Sequence, residues 1–176
     1  MKQKRLIIRS VILLIMIGAV SYTFYSHYAE ERGVVDQGDI APNFRVQDPA
    51  GNILELEELR GNGVYVNFWA TYCSFCRDKM KYMNEHYKEY EKLGVEVVNV
   101  NVDESTLRVE RHQERHQLDF PLYIDRDMLV SNAYGVASLP TTFLIDENGN
   151  VIERQIGAKT EAQVIESFDR LIPGGN

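Results

Sequence analysis

Between Ser10 and Ala29 the chain offers no fully charged side chain as long as His27 is neutral, and its centre, Val11 to Val20, is almost purely apolar. As a helix rising about 1.5 Å per residue, such a stretch reaches about 30 Å, the thickness of a bilayer's hydrocarbon core. Tyr22, Tyr25 and Tyr28 follow the apolar centre, where amphipathic rings favour the headgroup level. Lys2, Lys4, Arg5 and Arg9 precede it. This pattern predicts a cytoplasmic basic segment at 1–9, a transmembrane signal-anchor helix at 10–29 and everything later on the extracytoplasmic side of the cell membrane. A cleaved signal peptide has the same basic start. A small-x-small cleavage site is poor here, because His27 stands two residues before Ala29 and Ala19 lies inside the apolar run. No cysteine lies near the segment, which excludes a lipid anchor.

Residues 30–39 are polar and unpatterned and read as a linker into a domain at 40–176. Phe44 to Gln47 and Ile53 to Leu56 read as two short strands, joined by the turn formers Asp48-Pro49-Ala50-Gly51-Asn52 into an N-terminal hairpin extension. Val64 to Ala70 is a largely apolar run suited to a strand buried on both faces. A helix is predicted from about Ser74 to Leu93, because Cys76, Met80, Met83, Tyr87 and Tyr90 recur at four- and three-residue steps. Gly94 ends it, and Val95 to Val102 is a second core strand. Strand, helix and strand form a βαβ unit with parallel pairing and a right-handed crossover. Glu104 to Gln117 is polar and weakly amphipathic and reads as helix. Thr141 to Asp146 and Val151 to Ile156 form a hairpin in which Asn148-Gly149 supplies the positive φ angles of a tight turn. Thr160 to Ile172 closes the chain as an amphipathic helix with Val164, Ile165, Phe168, Leu171 and Ile172 on one side. The class is α/β, a central mixed sheet flanked by helices.

Composition narrows the function. With 176 residues, 44% hydrophobic and 26% charged, the chain has the balance of one globular domain plus an appendage. The net charge of −7 is unevenly placed: four of the 19 basic residues lie in 1–9 with no acid, leaving 15 against 26 acids and a charge of −11 for the remainder. Nucleic acid is excluded as the partner, since phosphate binding needs a clustered basic surface. Two cysteines are too few for a disulfide-dense scaffold.

Those two, Cys73 and Cys76, lie where the first core strand gives way to the long helix. Residues three apart on a helix share a face, so the sulfurs can reach bonding distance. Unpaired N–H groups and the positive dipole end at a helix start favour a thiolate on Cys73. Cys76, one turn inward, is expected to be more buried and less reactive. Cys73 is then the attacking nucleophile and Cys76 the resolving thiol. An inert disulfide is the rival, but closing so short a loop stabilises little. Covalent haem attachment needs His after the second cysteine, where Arg77 stands, and a zinc site needs two more ligands. His112 and His116 are set among Arg108, Arg111 and Arg115 and read as a solvated polar face rather than a metal site. No metal and no cofactor are expected.

The run Val66-Asn67-Phe68-Trp69-Ala70-Thr71-Tyr72-Cys73-Ser74-Phe75-Cys76 resembles the active-site segment of the thioredoxin superfamily, and Leu139-Pro140-Thr141-Thr142-Phe143 is similar to its second signature. With the Ala41-Pro42-Asn43-Phe44 opening and the N-terminal segment, the whole chain resembles the TlpA/ResA branch, membrane-anchored reductases serving cytochrome c maturation in Gram-positive bacteria. The resemblance implies a thioredoxin-like fold, a redox-active Cys73–Cys76 disulfide and a cis peptide before Pro140, which would let the backbone there pair with an extended substrate. It further implies that Thr141 supports that substrate site and that Trp69 packs beneath the disulfide. Apocytochrome c is the implied client and a CcdA-type membrane protein the implied electron donor. Asn67 takes the place of thioredoxin's buried acid, so proton handling must differ.

Three positions depart from the family pattern. Tyr72 replaces the usual Trp, Ser74-Phe75 lacks the common proline before the second cysteine, and Lys79 stands where ResA relatives carry glutamate. A carboxylate there would raise a nearby thiol's pKa and a lysine would lower it. Alternatives therefore stay open: an oxidant that installs disulfides, a reductase for another client such as spore-envelope proteins, or a non-catalytic thioredoxin-fold adaptor or metal chaperone. A peroxidase pattern would need Pro at Val66 and Thr at Ala70.

Overall fold

Strand and helix positions in the computed structural model follow the hydrophobic pattern closely. It describes residues 2–31 and 34–174, with side chains in the first helix described at 8, 9 and 11–25. Two units separate along the chain, Met1–Val34 and Val35–Asn176.

The first unit is a helix, α1 (Lys2–Glu31). Its described side chains, Val11 to Tyr25 among them, are exposed along their whole length. Among the described residues no helix is long and apolar enough to cross a membrane. The side chains of Lys2, Lys4, Arg5, Tyr28 and the start of the 30–39 linker lie outside the described residues.

The second unit contains β1 (Arg45–Gln47), β2 (Ile53–Glu55), β3 (Gly63–Trp69), α2 (Ser74–Glu91), β4 (Val95–Val102), α3 (Thr106–His116), β5 (Leu122–Asp125), α4 (Leu129–Ala133), β6 (Thr141–Ile145), β7 (Val151–Ile156) and α5 (Glu161–Asp169). The strands form one sheet in the order β2-β1-β5-β4-β3-β6-β7. β3, β4 and β5 run parallel, β6 pairs antiparallel with β3, and the β1–β2 hairpin extends the β5 edge. The result is the mixed sheet with the hairpin extension that the pattern implied, in the thioredoxin-like arrangement that the resemblance implied.

Alternation along β3 divides the core. Tyr65 and Trp69 pack with Met80, Met83, Val109, Val164 and Phe168 on one face. Val64, Val66 and Phe68 pack with Phe44, Val46, Tyr134 and Phe143 on the other. Residues expected to be linker take part: Val35 is buried in the second cluster, Gly38 N–H donates to Val151 O at 2.8 Å and Ala41 N–H to Gly149 O at 2.9 Å.

The pattern did not announce β5 and α4. β5 has only four residues, and α4 is started by Asp125, whose carboxylate accepts from the N–H groups of Val130 and Ser131 at 2.9 and 2.7 Å. The polar face assigned to His112 also needs correction. His112 is 8% exposed and its ring lies 4.9 Å from that of Trp69, because α3 turns that histidine inward together with Val109.

Candidate active site

The chain leaves β3 at Trp69, turns through Ala70, Thr71 and Tyr72, and enters α2 at Ser74. Cys73 is the N-cap residue of α2 with extended backbone, φ −82° and ψ 104°. Its Sγ accepts the Cys76 backbone N–H at 3.2 Å, taking up one of the donors a helix start leaves unpaired. Cys73 and Cys76 are joined as a disulfide. Cys76 is fully buried, packed with Met80 and Trp69, while Cys73 is partly exposed. Tyr72 and Phe75 beside it are 74% and 65% exposed, so the reachable sulfur is bracketed by two solvent-facing rings.

Sheet register brings the second signature to the same end of the sheet. Thr141 pairs with Phe68 across β3 and β6, which sets Pro140 next to Trp69 where the strand runs out toward Cys73. The Leu139–Pro140 peptide is cis. Thr141 is buried, and its hydroxyl donates to Ser138 O at 2.6 Å, closing the turn before the proline. Trp69 is fully buried. Asn67 is also buried, and its side-chain amide donates to Asn99 Oδ1 at 2.9 Å, its partner in the parallel register.

Glu104 is a site residue that the sequence reading passed over. It is 7% exposed. Its carboxylate accepts from the Thr71 N–H and hydroxyl, both at 2.6 Å, and from the Asn101 amide at 2.8 Å. Burial acts to raise its pKa, but the hydrogen bonds from Asn101 and Thr71 outweigh burial and hold it below the usual carboxylate range. An anionic Glu104 thus ties the residues just before Cys73 to the end of β4. Its one signal in sequence is position: it is an acid just beyond the carboxyl end of a core strand, where open α/β sheets place functional groups.

The surroundings of Lys79 work against the positive charge expected of it. It is fully buried on α2, donates to the Thr142 hydroxyl and lies 5.6 Å from the Tyr65 ring centroid. Burial first, then the nearby Lys159, push its ammonium toward the neutral amine, well below the ordinary lysine range. His112 behaves likewise: burial, then His116, lower its pKa to about 4, so a neutral imidazole faces Trp69. Among the described residues Glu85, His86 and Glu161 converge closely enough to share a metal ion. They lie on α2 and α5 and include neither cysteine.

A thioredoxin-like sheet, a Cys-x-x-Cys pair capping the helix after its central strand and a cis-proline beside it define a thiol-disulfide oxidoreductase. A family model described as AhpC/TSA matches residues 37–154. The chain is 45% identical over 172 residues to the thiol-disulfide oxidoreductase ResA of Geobacillus thermodenitrificans, covering 98% of this chain and 99% of that one. It is 40% identical over 173 residues to ResA of Bacillus anthracis, covering 98% and 100%. Among solved structures, a thiol:disulfide interchange protein DsbE from Chlorobium tepidum superposes with a TM-score of 0.69 at 31% identity, covering 76% of this chain and 99% of that one. The chain belongs to the AhpC/TSA family and, within it, to the ResA thiol-disulfide oxidoreductases.

Proposed function

We propose that this oxidoreductase works in the reducing direction on the extracytoplasmic side of the cell membrane, with the haem-binding cysteine pair of apocytochrome c as its client. The observation that carries the exchange step is the unequal exposure of the two sulfurs, with Cys73 reachable at the helix start and Cys76 fully buried one turn below. In the dithiol form the Cys73 thiolate attacks one sulfur of the client disulfide, forming a mixed disulfide and releasing the other client sulfur as a thiolate that takes up a proton. The Cys76 thiolate then attacks Cys73 Sγ, so the second client sulfur leaves and the Cys73–Cys76 disulfide forms. Two electrons have passed to the client. Pro140 and Thr141 border the position of the client strand, and Trp69 supports the turn from below.

A CcdA-type membrane protein would return the enzyme to the dithiol form by the same exchange. The apolar stretch 10–29, acting as a single-pass anchor, would hold enzyme and donor in one plane. The direction, client and donor are supported by the resemblance to ResA and by the pattern of the first thirty residues. Replacing Cys76 with Ser in the full chain should freeze the reaction at the mixed disulfide. Isolation of species bound to Cys73 in cells is expected to yield apocytochrome c and a CcdA-type protein. Recovery of neither would sink the client and donor assignments.

A further inference from the structure

A groove of about 600 Å³ opens beside the disulfide, lined by Cys73 and Tyr72, by Arg77 from the first turn of α2 and by Arg108, Arg111 and Arg115 from α3. The α3 arginines recur at steps of three and four, which places them on one helix face. Among the described residues no aspartate or glutamate lines the groove, although the chain beyond residue 9 carries 26 acids against 15 basic residues. Arg108 is met by Glu104 at 3.3 Å and Arg77 by Asp78 at 3.8 Å. Arg111 and Arg115 are exposed, and among the described residues neither has a carboxylate within ion-pair distance.

Helix stability does not explain this row. Like charges one turn apart repel, and only Arg115, in the last turn, is favoured by the helix dipole. Arg111 and Arg115 thus present two unpaired positive charges to anything that enters the groove. From Arg108 to Arg115 the helix rises about 10 Å, a distance an extended chain covers in about three residues with alternate side chains on the same side. A lone small anion would leave most of such a groove empty.

We propose that this groove docks an acidic stretch of the client polypeptide next to its disulfide, so that clients bearing Asp or Glu beside the bond are presented preferentially to Cys73. This inference rests on the exchange reaction proposed above and supplies its substrate class.

The test uses the full chain in detergent micelles, reduced beforehand, with three disulfide-closed peptides that differ only in flanking residues: glutamate, glutamine or lysine. The second-order rate of peptide reduction is expected to fall in that order, by about tenfold from first to last at low ionic strength, as charge-steered association does. The spread should collapse toward unity at about 0.5 M salt. In Arg111→Gln/Arg115→Gln the ratio of glutamate to lysine rates should drop close to one, whereas Lys92→Gln, at the far end of α2, should keep it. In parallel, a glutamate-flanked peptide with its cysteines replaced by serine is titrated against the oxidised protein by fluorescence anisotropy. Binding there that weakens in the double arginine variant supports the groove even if no peptide is reduced, a result that would instead overturn the exchange reaction. Equal rates for the three peptides, or a preference that survives the loss of both arginines, would overturn the acidic-client inference while leaving the exchange reaction intact.

Discussion

His112 lies in a run of charged residues yet is buried, its ring 4.9 Å from Trp69 and 4.4 Å from His116. Burial and the neighbouring His116, with smaller contributions from Arg115 and Arg77, lower its pKa from 6.5 to about 4, against the opposing pull of Glu104. Between those two values the unfolded chain binds a proton that the folded one refuses. The stability His112 contributes is therefore full above pH 6.5 and declines as pH falls toward 4, by at most about 1.4 kcal/mol per pH unit. Glu104 has a depressed pKa, so its contribution is present above its ordinary 4.5 and is lost only as pH falls below that. Glu96, whose pKa burial raises, acts with the opposite sign just above 4.5, so the histidine's share of the interval from pH 6.5 to 4.5 is the difference between the native chain and a variant lacking the imidazole. Urea midpoints of the native chain measured across that interval should fall relative to those of His112→Phe, which keeps a ring against Trp69 and has no proton to gain. A parallel fall in both proteins would exclude His112 as the source. Lys79 poses the same contest on α2, where a cation by composition is driven toward a neutral amine by its surroundings.

Elements with strong local pattern were legible before any coordinates, and those defined by tertiary partners were not. β3 and β4 read as strands because apolar residues, mostly valines and aromatics, predominate in both, and both are buried on two faces. α5 begins where Thr160 and Gln163 form a reciprocal capping box, a purely local signal. β5 and α4 carry no such signal, since β5 is completed by pairing with β4, and the acid that caps α4, Asp125, stands four residues before the helix start instead of next to it. Within the site, Cys73, Cys76, Pro140, Thr141 and Trp69 stood in two recognisable runs. Glu104 offered only its position after a core strand, and its role shows once its carboxylate is seen to tie Thr71 to Asn101. Gly63 is another residue whose constraint exists only in three dimensions: a Cβ there would fall 1.9 Å from the Leu171 carbonyl oxygen. That neighbour is backbone and cannot rotate away, so β3 and the segment after α5 would have to separate. Gly63→Ala is expected to destabilise by about 1–3 kcal/mol, the usual range for overpacking, read as a lower urea midpoint at unchanged slope. An unaltered midpoint would mean that the Leu171 segment yields freely.

At the scale of the whole molecule the chain separates at residue 34 into a helix and a self-contained domain. Both hydrophobic clusters, the disulfide and the arginine groove lie within Val35–Asn176. Among the described residues, everything that holds the site together lies in the second unit, so a chain beginning at Val35 should fold with the urea midpoint of the full-length protein. It should also exchange with a small dithiol at an equal rate. What the first unit would contribute, on the anchor reading, is concentration: confining enzyme and donor to one membrane plane turns a search through volume into a search over a surface. The two properties can be separated by exporting the shortened chain in cells lacking the full one. The full chain is expected in the membrane fraction and the shortened chain in the soluble fraction. The shortened chain should accumulate as the Cys73–Cys76 disulfide, because re-reduction by a membrane donor becomes slow while the chemistry at Cys73 is untouched. Full reduction of the shortened chain in cells would show that electron delivery does not depend on the N-terminal helix. It would leave that helix without the role assigned to it here.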